Sequence, residues 1–175
     1  MRRILVFAVL ASALSLPTSA VAQSKNKLVG TWKLVSVVSK TDQGNVNKTV
    51  YGEHPKGLIT YGADSRMMVI VTEDGRKPLS INDRVAAPIE ERAQAFSTMT
   101  AYAGTYTFSG DKVVHHVEVA SIPNWVGSDQ SRTVKIQGDR LSIATPPLSR
   151  GGTMQTFELT WERVKPSGKA SKPAG

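Results

Sequence analysis

Four side chains whose heads can move a proton or carry charge fall on apolar faces of this chain: Tyr61, Tyr106, His115 and Arg132. A histidine beside a tyrosine is enough for proton transfer, one group giving a proton as the other takes one. His115 and Tyr106 meet that need by residue type, which is the chemistry of an isomerase or cyclase. Arg132 poses a different question. It shares a strand face with Val134 and Ile136, and a guanidinium among apolar neighbours needs an acceptor. A bound carboxylate or phenolate would serve, and so would a tyrosine or a backbone carbonyl of the protein. In the purely structural alternative, Arg132 caps one end of the fold over Trp32 or Trp161 and His115 is a satisfied core histidine. Trp125 sits in the loop Pro123-Asn124-Trp125-Val126-Gly127 and is expected as a lid or a plug. The expected ligand-binding residues are therefore Tyr61, Tyr106, His115, Arg132 and Trp125.

Other chemistries find no support. The chain has no cysteine, which excludes thiol catalysis, cysteine-ligated metals and disulfides. It has neither a glycine-rich phosphate loop nor a Gly-x-Ser-x-Gly nucleophile turn. The histidines are His54, His115 and His116. Neighbours on a strand point to opposite faces, so His115 and His116 cannot chelate one ion together. No metal site and no cofactor are expected, although a haem held by one histidine stays open by residue type.

The elements that must position these residues are mostly short segments of period two, separated by turn residues. Strands are expected over 31–39, 46–51, 57–61, 66–72, 104–109, 112–120, 130–137, 140–145 and 152–164. Between the fourth and fifth, Ile89, Ala93, Phe96 and Met99 recur at helical spacing, with Glu90, Glu91 and Arg92 opposite. Pro88 suits a first turn, and one helix is expected near 88–101. The short connections favour an all-β, up-and-down antiparallel barrel of eight to ten strands with this helix inserted. Alternation places Val113, His115, Val117 and Val119 on one inward face. It does the same for Ile59 with Tyr61, Tyr106 with Phe108, and Phe157 with Leu159 and Trp161. Trp32, early in the first strand, is expected to plug one end.

The chain opens with Arg2 and Arg3, an apolar run from Ile4 to Leu16, and a small-x-small site at Ala20-Val21-Ala22. That is the pattern of a signal peptide over 1–22. The run is short for a membrane span, and none follows. Export to the periplasm or beyond the cell, with cleavage near Ala22, is the expectation. A short leader at 23–27, a barrel domain over 28–164 and a flexible basic tail over 165–175 complete the division. The formal charge is +8. No basic run is interleaved with aromatics, so nucleic acid is not an expected partner. The expected partner is a small apolar or amphipathic molecule. The sequence leaves the oligomeric state open.

Several segments together carry a family likeness: Leu28-Val29-Gly30-Thr31-Trp32, Gly57-Leu58-Ile59-Thr60-Tyr61, Tyr102-Ala103-Gly104-Thr105-Tyr106, the run from His115-His116-Val117-Glu118 through Trp125 to Arg132, Gly138-Asp139-Arg140-Leu141, and Leu159-Thr160-Trp161-Glu162-Arg163. Over Leu28 to Val164 the chain resembles the bacterial and fungal lipocalin-like domain family of the calycin group. The resemblance implies a calycin barrel that binds a small molecule. It brings no agreed catalytic set.

Overall fold

The computed structural model describes residues 26–165. The expected signal peptide and most of the basic tail lie outside the described residues. Ten strands form one antiparallel sheet: β1 (Gly30–Thr41), β2 (Val46–Asn47), β3 (Lys56–Tyr61), β4 (Arg66–Thr72), β5 (Met99–Ser109), β6 (Lys112–Ala120), β7 (Asp129–Gln137), β8 (Arg140–Ala144), β9 (Leu148–Arg150) and β10 (Thr153–Arg163). Neighbours pair in the order β2-β1-β3-β4-β5-β6-β7-β8-β10-β9, and β1 also pairs with β10. That last pairing closes eight strands into a barrel, with β2 and β9 as short extensions along one rim. Closure leaves the eight without a free edge. Among the described residues, no helix is long and apolar enough to cross a membrane.

Alternation builds the core. Trp32, Leu34, Ile59, Met67, Val69, Val113, Leu141 and Trp161 are all buried inside, where each large apolar side chain contributes on the order of 2 kcal/mol. One end is closed. Leu28 is fully buried, and the Trp32 indole N–H donates to its carbonyl at 2.9 Å. Arg163 lies over the Trp32 ring, 3.9 Å from its centroid, and donates to the carbonyls of Val29 and Lys27. The end cap that sequence offered as one role for Arg132 is thus Arg163, which follows Trp161 by two residues on the same inward phase of β10.

Three expectations are corrected. The helix α1 spans Ile89–Ser97 rather than 88–101. Met99 to Thr105 instead pair with β4, from Thr72↔Met99 to Arg66↔Thr105. The exposed ladder of β4 needs a partner, and that demand overrides the helical spacing of Met99. The segment expected as a strand over 46–51 keeps two residues of ladder, Val46–Asn47. Tyr51 leaves the sheet and packs edge-on against Phe157. Val119 faces outward, 61 % exposed. A bulge in the β5–β6 pairing, where Ala103↔Val119 is followed by Gly104↔Val117, shifts the phase by one residue.

Candidate functional site

Eight strands can enclose room for one small ligand. Here the barrel holds a cavity of about 430 Å³. Its deep wall includes Ile59, Val69 and Trp161, and its opening includes Thr145, Leu148 and Arg150. The opening is framed by three segments. The C-terminal end of α1 contributes Ser97. The β6–β7 loop contributes Ile122 and Trp125, the latter packed edge-on against Tyr102. The β2–β3 loop contributes Tyr51, over whose ring the Arg150 guanidinium lies at 4.5 Å. Arg150 is also bonded to Glu73, at the end of β4.

The polar centre of the lumen is His115, 1 % exposed on β6. Its Nε2 lies 2.8 Å from the Tyr61 hydroxyl and its Nδ1 lies 2.9 Å from the Tyr102 hydroxyl. Burial, reinforced by the charges of Arg132 and His116, pulls the His115 pKa down to about 3. The ring is therefore neutral near pH 7, with one N–H and one bare nitrogen. Burial also raises both tyrosines. Arg132 opposes the rise at each.

Counting protons fixes the order of this chain. Tyr61 is buried, and His115 is its hydrogen-bond partner. A buried O–H without an acceptor is costly, so Tyr61 donates to Nε2. The proton of His115 then sits on Nδ1 and is donated to the Tyr102 oxygen. Tyr102 lines the cavity, and its own O–H is left over for a partner there.

Arg132, 6 % exposed on β7, also lines the cavity. It donates to the Ser131 carbonyl at 2.8 Å and to Gln130 Oε1 at 3.1 Å. Both acceptors are neutral and lie within two residues on the same strand. Among the residues lining the cavity there is no Asp or Glu. Trp161, on the deep wall, is 1 % exposed, and its indole N–H has no partner among the described residues.

Of the residues expected from sequence, His115, Arg132 and Trp125 line the cavity. Tyr61 supports His115 from behind. Tyr106 faces inward opposite His115 in the ladder, but its hydroxyl is committed elsewhere. It donates to the Gly62 carbonyl at 2.9 Å and accepts from Asn26 at 3.1 Å. The expected acid–base pair of His115 with Tyr106 is therefore replaced by His115 with Tyr61 and Tyr102. Tyr102 is hidden in the sequence because it falls between the helix expected to 101 and the strand expected from 104. Reading Tyr102-Ala103-Gly104-Thr105-Tyr106 as one alternating strand would have put Tyr102 inward. His116 points outside, 2.7 Å from Asp129, as the alternation requires.

A closed antiparallel barrel with an apolar, partly open lumen and a few buried polar heads is the calycin architecture, with room inside for a small molecule. The chain belongs to the lipocalin-like domain family, whose family model matches residues 29–164. It is similar to the 4'-hydroxy-3'-methoxypropiophenone carrier protein ppsC of Aspergillus oryzae. The two are 39 % identical over 84 residues, a match covering 43 % of this chain and 76 % of that protein. A solved structure from Bacteroides eggerthii is similar over 78 % of this chain and 99 % of its own, at 10 % identity and a TM-score of 0.40.

Proposed function

We propose that this protein is an exported carrier that holds a small, mostly apolar molecule bearing an acidic or carbonyl group inside its barrel. The observation that carries this reading is the open-ended cavity of about 430 Å³, within the size range of small-molecule sites. Its walls are apolar apart from Tyr102, His115, Arg132, the Glu73-bonded Arg150 and a few hydroxyls near the opening. The similar protein named as a carrier of an aryl ketone supports the same reading. Export rests on the leader of residues 1–22 and places the carrier in the periplasm or outside the cell. Native mass spectrometry of the protein purified from its source tests both parts. A co-purified small molecule and a mass beginning near Gln23 are expected. An intact leader overturns export. Failure to bind any apolar probe, such as N-phenyl-1-naphthylamine, overturns carriage.

The second reading is a lumenal isomerase or cyclase, favoured by the Tyr61–His115–Tyr102 hydrogen-bonded chain. The proton affinities weigh against it. An efficient general base titrates near the working pH, whereas His115 is pulled down to about 3 and both tyrosines are raised.

A further inference from the structure

We infer that the lumen selects an organic anion: an apolar body whose carboxylate-like head is received by Arg132 and the Tyr102 hydroxyl. The inference rests on the carrier reading and decides what that reading leaves open, namely whether the ligand's polar head is charged.

The first argument is charge. Arg132 is 6 % exposed, and the cavity wall contains no carboxylate to oppose it. The other guanidinium at the cavity, Arg150, is already matched by Glu73. Ser131 and Gln130 accept hydrogen bonds from Arg132 but cancel none of its charge. A ketone would do the same. Only an anion supplies the missing countercharge, and charge-assisted hydrogen bonds to a guanidinium are about twice as strong as neutral ones.

The second argument is the sign of the unused hydrogen-bonding groups. They are donors. The proton count leaves the Tyr102 O–H unused. A guanidinium has five N–H groups; that of Arg132 donates to Ser131 and Gln130 and lies within hydrogen-bonding reach of the Tyr102 oxygen, which leaves N–H groups over. Among possible acceptors, His115 uses both ring nitrogens on tyrosines, and Thr145 Oγ1 accepts from the Phe157 amide. Beside Arg132 and Tyr102, away from the hydroxyls at the opening, a ligand rich in N–H groups finds little to bind. One rich in oxygen acceptors finds donors waiting.

The test is a matched pair: naphthalene-2-carboxylate and naphthalene-2-carboxamide, which share a body and differ in head charge. Isothermal titration at pH 7 on the wild-type mature protein is expected to give about tenfold or more tighter binding of the carboxylate. In Arg132→Met that preference is expected to collapse to within about threefold, chiefly by loss of carboxylate affinity. Neutral N-phenyl-1-naphthylamine is titrated alongside. If it binds while the amide equals or exceeds the carboxylate, the anion inference is overturned and the carrier reading stands. If none of the three binds, the carrier reading falls and takes the inference with it. The wild-type comparison stands even where Arg132→Met fails to fold. Tyr102→Phe supplies a second variant. It is expected to weaken the carboxylate more than the carboxamide. Equal loss for both would remove the Tyr102 hydroxyl from the site.

Discussion

His115 makes the stability of the barrel depend on pH in a way that can be isolated. Its pKa falls from 6.5 to about 3 on folding, with burial as the largest cause. The unfolded chain therefore binds a proton below pH 6.5 that the folded chain refuses until much lower pH. A base depressed in this way stabilises the fold fully above its unfolded pKa. That contribution is lost as pH falls toward the folded one. Each unit below 6.5 costs about 1.4 kcal/mol, so the loss between pH 7 and pH 5 is about 2 kcal/mol. Carboxylates also titrate in this range, so the wild type alone does not isolate the effect. His115→Gln keeps a donor and an acceptor between Tyr61 and Tyr102 but has no proton to gain. Urea unfolding of both proteins at pH 7 and pH 5 gives the double difference. The stability advantage of the wild type is expected to shrink by about 2 kcal/mol on acidification. Parallel pH profiles would show that His115 titrates normally in the folded state, and the neutral relay with its leftover Tyr102 proton would be wrong.

Three further outcomes follow from the same structure. Arg132→Met is expected to raise the stability of the ligand-free protein by about 1–3 kcal/mol in urea, because it removes a buried charge with neutral partners; a loss would mean that the Ser131 carbonyl and Gln130 depend on it. Gly104→Ala sets a methyl 2.0 Å from the His116 carbonyl oxygen and is expected to cost more than about 3 kcal/mol, read as a fall in melting temperature. Arg163→Met removes the guanidinium over Trp32 and orphans the carbonyls of Val29 and Lys27. It is expected to cost about 2–3 kcal/mol in urea, and near-neutrality would refute its role as the end cap.

The barrel was legible because alternation is a local signal. Ile59 and Tyr61, or Phe157, Leu159 and Trp161, declare their face with no knowledge of their partners. What stayed hidden depended on partners. The start of β5 is set by the ladder of β4, so Met99 to Ala101 read as helix, and Tyr102, between that helix and the strand expected from 104, went unseen. The outward turn of Val119 is set by a bulge opposite Gly104. Arg132 was legible as an inward charge, but which arginine caps Trp32 was not. Arg132 and Arg163 both sit near aromatic positions, and only the closure of the sheet brings Arg163 to Trp32. The hydroxyl of Tyr106 turns to Gly62 and Asn26, contacts that no strand pattern encodes.

The pairing of β1 with β10 also dictates an order of assembly. Trp32 meets Arg163, and the seam runs on to Thr41 opposite Gln155, residues more than a hundred positions apart along the chain. Hairpins from β3 through β8 can zip between neighbours, and Gly30 to Lys33 of β1 can pair with β3, but the other side of the first strand must wait for the last. Such distant pairing slows folding because the loop must close before any contact repays its entropy. A chain emerging N-terminus first holds Trp32 and Leu34 without their final neighbours until Trp161 arrives. Until then the incomplete sheet has two unpaired edges, so the barrel passes through its most aggregation-prone form just before the ring closes.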